Sequence, residues 1–173
     1  MARKQKVSKT NAMRELEQGG VAYRTLTYDA NNEDLSTGVG VRIAEFLGED
    51  VDAAFKTLVT TTSSGGYVVC CIPVARELDL KKAAAAAGEK SLAMLPMKDL
   101  EATTGYMRGG CSPVGMKKQF LTLLDETAQL FDEIGISGGR RGLSLQLNPE
   151  ELAHFINATF ADITRDGEYH VHP

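Results

Sequence analysis

The stretch Phe55-Lys56-Thr57-Leu58-Val59-Thr60-Thr61-Thr62-Ser63-Ser64-Gly65-Gly66-Tyr67-Val68-Val69-Cys70-Cys71-Ile72-Pro73 is two β-branched runs joined by a Ser/Gly turn. That pattern predicts a β-hairpin with arms over Phe55–Thr62 and Tyr67–Pro73 and both arms well buried. Side chains alternate along a strand, so Cys70 and Cys71 point to opposite faces and cannot form a two-ligand clip. Lys56 shares a face with Leu58 and Thr60 and opposes Phe55, Thr57 and Val59. A lysine there also reads as a device against edge-to-edge aggregation.

Working outward, helices and short strands alternate without a repeat. Ser8 caps a helix over 8–18, with Ala12, Met13 and Leu16 on its apolar side, and 21–28 alternates as a strand. Asn31 to Asp34 is a polar loop, followed by a helix over 39–47 with Val39, Ile43, Phe46 and Leu47 on one face. Asp50 caps a short turn. Past the hairpin, Asp79 starts a helix closed by Gly88. Residues 91–96 are ambiguous, and 96–103 hold a helical turn. Strands are expected over 120–124, 130–136, 143–147 and 159–164, with a turn over 126–129. Asn148 caps a helix with Pro149 at its first position, running to about residue 156. Hairpins mixed with isolated helices give an α+β domain around a mixed sheet or partial barrel.

The chain has 173 residues, so it makes one domain. Nineteen basic and 23 acidic residues leave a net charge of −4, which argues against wrapping duplex DNA. Each half of the uncharged stretch 57–75 is strand length, so no membrane span is expected. The basic start, with Arg3, Lys4, Lys6 and Lys9, lacks the apolar run of a secretory signal and reads as a flexible tail over 1–8. The domain proper covers 9–166, and 167–173 form a polar tail containing His170 and His172. Three cysteines, two of them adjacent, suit a reducing cytoplasm better than a disulfide framework. No Cys/His spacing matches a metal site.

Two glycine-rich segments stand out. Gly105-Tyr106-Met107-Arg108-Gly109-Gly110-Cys111-Ser112-Pro113-Val114-Gly115-Met116-Lys117-Lys118 combines backbone that a ligand can approach closely with positive charge. It is not a phosphate-binding P-loop, because Met116 separates Gly115 from Lys117 and Lys118 replaces the required hydroxyl. Ser137-Gly138-Gly139-Arg140-Arg141-Gly142 adds two guanidinium forks suited to phosphate or carboxylate. The first segment alone reads equally as a structural turn, and the second alone reads rather as a hairpin turn with solvated arginines; both together in one small domain point to a shared anionic or ribose-bearing ligand.

In order along the chain, Phe55-Lys56-Thr57-Leu58, Pro73-Val74-Ala75 with Leu78-Asp79-Leu80-Lys81-Lys82, the run 104–118, Ser137 to Leu143, and Phe160-Ala161-Asp162-Ile163 resemble the YbaK/EbsC family. These are free-standing relatives of the editing domain of prolyl-tRNA synthetases. The resemblance implies a curved, barrel-like mixed sheet with surrounding helices, and removal of cysteine from Cys-tRNA(Pro) and Cys-tRNA(Cys). It implies Lys56 and Gly109 as catalytic residues. It implies Tyr28, Thr57, Gly110, Ser112, Ser137, Gly138, Gly139 and Ser144 around the substrate, with Arg108, Lys117 and Arg140 on tRNA phosphates. Aminoacyl-tRNA is the implied partner, with prolyl-tRNA synthetase as a further one; no cofactor, metal, DNA or membrane is implied. Two positions depart from the family pattern: Ser36-Thr37-Gly38 stands where a pocket aromatic is expected, and Ser144 where the family has aspartate. Deacylation of another small amino acid, such as alanine on tRNA(Pro), and a non-catalytic aminoacyl- or nucleotide-binding module are the alternatives.

The chemistry that the resemblance implies for the cysteine branch is substrate-assisted. The cysteinyl thiol attacks its own ester carbonyl, a thiolactone forms, and the terminal ribose hydroxyl leaves. Lys56 supplies a positive field or holds the terminal nucleotide, while N–H groups near Gly109 and Gly110 face the oxyanion.

Overall fold

The computed structural model describes residues 8–30 and 39–166. The expected basic tail up to residue 7, the polar loop from Asn31 to Asp34, the Ser36-Thr37-Gly38 departure, and the polar tail with His170 and His172 lie outside the described residues. The strands are β1 (Arg24–Thr27), β2 (Phe55–Thr62), β3 (Tyr67–Pro73), β4 (Leu92–Met94), β5 (Leu121–Asp125), β6 (Ile134–Ser137), β7 (Leu143–Leu147) and β8 (Thr159–Ala161). The helices are α1 (Asn11–Gln18), α2 (Val39–Phe46), α3 (Leu80–Ala87), α4 (Leu100–Thr104) and α5 (Pro149–Ile156).

The β2–β3 hairpin forms as its sequence predicts, with Phe55 opposite Pro73 and Thr61 opposite Tyr67. Its turn is closed by the Gly66 N–H, which donates to Thr62 Oγ1 at 2.8 Å. The hairpin sits inside a five-stranded sheet of order β4-β2-β3-β5-β8, in which β5 runs parallel to both β3 and β8. A second, antiparallel sheet has the order β1-β7-β6. One core lies between the sheets, with Val59, Val69, Cys71 and Leu124 facing Ile134, Ile136, Leu145 and Leu147. A smaller core lies on the other face of the large sheet, where Val68, Cys70, Ile72 and Leu123 meet Ala83 and Ala84 of α3. Cys70 and Cys71 thus serve two different cores, as strand alternation requires. Each fully buried Leu or Ile contributes about 1.5–3 kcal/mol, so the double-sided burial of β3 anchors the domain.

The α+β class stands, but the expected barrel does not form. The two sheets meet at a single parallel bridge, Ala54 to Gly135, and β2 and β6 share no ladder beyond it. Both sheets therefore stay open. One consequence bears on the site: β4 pairs only with residues 60–62, and the Leu95 N–H reaches the Val59 carbonyl. Among the described residues, the outer edge of β2 from Phe55 to Leu58 has no ladder partner.

Several boundaries shift for local reasons. Helix α1 is capped by Thr10, whose hydroxyl accepts from the Met13 N–H at 3.3 Å, rather than by Ser8. Strand β1 starts later than expected because the Val21 N–H turns back to the Leu16 carbonyl. Strand β6 begins at Ile134 because the Asp125 carboxylate caps a 3-10 turn over Glu126–Leu130, which leaves Leu130 exposed. Strand β8 ends at Ala161 because the same carboxylate takes the Ile163 N–H at 3.2 Å. Thr164 then makes one bridge to Leu78. The stops of α3 and α5 match expectation: Gly88 and Asn157 adopt left-handed backbone, and Asp79 and Asn148 cap the starts.

Two of the stretches that carry the resemblance meet in a structural clamp. Lys82 donates to Asp162, to Asp166 and to the Thr164 carbonyl, and the Asp79 N–H donates to the Ile163 carbonyl at 2.8 Å.

Candidate functional site

A cavity of about 290 Å³ opens beside the free edge of β2. Its walls come from that edge, from α2, from the β6–β7 hairpin and from the first glycine-rich loop. The small sheet is two-faced by simple alternation. Leu143, Leu145 and Leu147 with Ile134 and Ile136 join the core, while Gly135, Ser137, Ser144 and Gln146 occupy the opposite face. Lining the cavity are the expected Tyr28, Lys56, Thr57, Arg108, Gly109, Ser137 and Ser144.

Lys56 is half-buried on the open strand edge. Burial pushes its ammonium below the ordinary lysine value, while the Glu77 carboxylate pulls it partly back. Among the described residues it has no hydrogen-bond or ion-pair partner, so this cation is presented to the cavity rather than spent on the fold. The next residue, Thr57, places its hydroxyl 3.8 Å from Cys71 Sγ.

In the first loop the two glycines differ. Gly109 has φ +83°, a left-handed conformation that glycine adopts without strain, and it faces the cavity. Gly110 is buried, and its N–H is already donated to the Met107 carbonyl at 2.9 Å. Among the described residues the Gly109 N–H has no such acceptor. Gly110 instead lets the two glycine-rich loops touch, since a Cβ there would lie 2.8 Å from Arg140 Cα and 3.1 Å from Arg141 N. Gly110→Val is therefore expected to cost about 1–3 kcal/mol by forcing backbone from backbone. At about 2–4 °C per kcal/mol for a domain this size, a melting scan reads it directly. An unchanged midpoint would show that the loops do not depend on this contact.

The second loop is held from outside. Thr10 Oγ1 donates to the Gly138 carbonyl at 2.5 Å, and the Arg140 guanidinium donates to the Ser8 carbonyl at 2.8 Å. Gly138, Gly139 and Arg140 thus turn toward the start of α1 and do not line the cavity. Ser112 is fully buried and its hydroxyl accepts from the Val114 N–H. Lys117 donates to the Ala102 carbonyl at 3.3 Å. These five residues, with Gly110, frame the site rather than line it. Ser137 does line it, while its hydroxyl accepts from the Gly139 N–H at 3.2 Å.

The sequence reading missed Glu49, which lines the cavity together with Arg141 of the second glycine-rich segment. It also gave α2 the wrong burial: Phe46 is 77% exposed, and only Ala44 is fully buried. Val39, Gly40 and Ile43 form a cavity wall instead. A helix that lines a void shows the same apolar spacing as one that packs against a core, so periodicity could not separate the two.

Cys111 also lines the cavity, and burial pushes its thiol up to about 12. Burial thus keeps it in the neutral thiol form at neutral pH. Among the described residues no histidine lines the cavity to activate it. Cys111→Ala is expected to retain at least half of wild-type activity. Complete loss in a folded variant, seen in single-turnover assays, would make this thiol the nucleophile.

This open two-sheet α+β domain thus carries a small, mainly apolar cavity lined by the cations Lys56, Arg108 and Arg141 and by the left-handed Gly109. The chain belongs to the family of aminoacyl-tRNA editing domains, which it matches over residues 40–155. It is 49% identical over 164 residues to an Enterococcus faecalis (strain ATCC 700802 / V583) protein provisionally named Cys-tRNA(Pro)/Cys-tRNA(Cys) deacylase EbsC, covering 95% of this chain and 98% of that one. Its fold is similar to a crystal structure provisionally titled a trans-editing enzyme for prolyl tRNA synthetase, with TM-score 0.76, 23% identity, and 90% and 96% of the two chains covered. A hypothetical protein of known structure aligns with TM-score 0.79 at 22% identity, covering 90% of this chain and 100% of the other. Among the described residues no helix is long and apolar enough to cross a membrane.

Proposed function

We propose that this chain removes cysteine from Cys-tRNA(Pro) and Cys-tRNA(Cys), with the substrate's own thiol as nucleophile. The observation that carries the reading is the cavity's inventory. Among the described residues it offers the Lys56 ammonium and the Gly109 backbone, but no thiol or hydroxyl paired with a base. The name and high identity of the enterococcal relative support the same substrate class.

In this reaction the thiol loses its proton to solvent, and the sulfur attacks the ester carbonyl carbon. The C–S bond forms, the C–O bond breaks, and the ribose oxygen leaves as a hydroxyl after taking up a proton. The released thiolactone hydrolyses to cysteine. Lys56 favours the thiolate, and the Gly109 N–H stabilises the oxyanion. A cavity of about 290 Å³ lies at the small end of ligand pockets, suiting a small aminoacyl group on its ribose. Arg108 and Arg141 at its wall suit the terminal phosphates. The partner is aminoacyl-tRNA, and prolyl-tRNA synthetase, which releases mischarged tRNA(Pro), is the further partner in this reading. The site of action is the cytoplasm.

The test is deacylation of Cys-, Ala-, Ser- and Pro-tRNA(Pro) by the purified protein, with Cys-tRNA(Pro) expected fastest. Alanine removed faster would move the chain to the alanine reading, favoured by Ser144 standing where a carboxylate is expected. No turnover on any of the four would leave a binding module.

A further inference from the structure

Among the described residues that line the cavity, Glu49 is the one carboxylate. Its position is built in three steps. Helix α2 ends at Phe46, and Gly48, with φ +71°, turns the chain. The Gly48 N–H donates to the Glu45 carbonyl and the Glu49 N–H to the Ala44 carbonyl at 2.9 Å, a Schellman closure that reverses the backbone toward β6 and β7. The carboxylate then lies over Gly135, where a Cβ would sit 2.3 Å from Glu49 Oε2, so any side chain there would have to push the carboxylate aside.

A carboxylate offers about four acceptor sites. Among the described residues one is used, by Gln146 Nε2 at 3.0 Å, and Gln146 Nε2 is also 3.2 Å from Ser144 Oγ. Glu49 thus connects by hydrogen bonds to Ser144, the position that departs from the family pattern. Burial raises its carboxyl pKa, and the Gln146 hydrogen bond partly offsets this. The charged groups lining the same cavity are otherwise cations: Lys56, Arg108 and Arg141. They suit phosphate and ester oxygens, whereas the aminoacyl end of a tRNA with a small neutral side chain carries one positive group, its α-ammonium.

We propose that Glu49 binds the α-ammonium group of the aminoacyl moiety, so that the site selects a free amine and rejects an N-blocked one. The inference rests on the deacylase reading above and adds a binding residue to it.

The test uses calorimetry with two non-cleavable probes: 3′-cysteinylamino-3′-deoxyadenosine and its desamino counterpart carrying a 3-mercaptopropionyl group. The full chain is expected to prefer the amine by about 10–150-fold, the worth of a hydrogen bond to a charged group. Glu49→Gln keeps the size and still accepts from Gln146, so its melting midpoint should hold while the preference falls to near unity. A parallel assay compares cleavage of Cys-tRNA(Pro) with N-acetyl-Cys-tRNA(Pro). Equal affinity of the wild type for both probes, no binding of either, or an undiminished preference in Glu49→Gln overturns the assignment. Cleavage of Cys-tRNA(Pro) with an unchanged ratio in Glu49→Gln sinks Glu49 but spares the deacylase reading. Amine-selective binding lost in Glu49→Gln, without ester cleavage by the wild type, sinks the deacylase reading and upholds the amine site.

Discussion

Lys56→Ala is expected to slow deacylation of Cys-tRNA(Pro) by about 10²–10³-fold, the usual cost of removing one preorganised electrostatic group from a reacting centre. Stability should hardly move. The ammonium sits on an open strand edge, partly stripped of water, and holds no hydrogen bond that the fold would miss. Its removal leaves no orphaned partner, so the melting midpoint should fall within the range of ordinary surface changes, about ±0.5 kcal/mol. Lys56→Met serves as the companion variant, because it keeps the aliphatic stem while deleting the charge. Both should lose activity alike if charge is what matters. Near-normal single-turnover rates in a folded Lys56→Met protein would remove Lys56 from the chemistry.

The second large effect separates cyclisation from hydrolysis. Cysteine and serine differ by one atom and are nearly the same size. A cavity that selected by size and cleaved with water would separate such a pair by only about 10–200-fold. If the substrate supplies the nucleophile, Cys-tRNA(Pro) should exceed Ser-tRNA(Pro) by more than that, since a serine hydroxyl stays protonated at neutral pH. The rate on Cys-tRNA(Pro) should also climb with pH toward the thiol pKa of about 8.5. A rapid quench should trap thiolactone before free cysteine appears. Equal rates on the two esters, with free amino acid as the first product, would rule the cyclisation out.

How far the sequence could be read depended on where each signal was stored. The β2–β3 hairpin was legible residue by residue, because alternation and a Ser/Gly turn are local facts. Helices α3 and α5 were legible from Asp79, Gly88, Asn148 and Pro149, which act within one turn. The ends of β6 and β8 were not. Both are set by Asp125, whose carboxylate caps one segment and takes an N–H from another 38 residues away. In the site, Lys56 and Gly109 were found through the resemblance and proved to face one cavity. Gly138 and Gly139 were expected around the substrate and Arg140 on tRNA phosphate; contacts from Thr10 and Ser8, remote in sequence, turn this loop away from the cavity. Glu49 was invisible because nothing beside it announces a ligand. Its role comes from Gly135, which makes room for it from another element.

The buried thiol of Cys111 matters for how long such an enzyme lasts. A thiolactone is an acylating agent, and a thiolate beside its birthplace would capture it as a dead-end thioester. Held near pKa 12, Cys111 stays a thiol and a poor acceptor. Cys70 and Cys71, likewise raised to about 12 by burial, are equally unreactive in the two cores. If the proposed cyclisation operates, burial of all three cysteines protects the protein against labelling by its own reactive product.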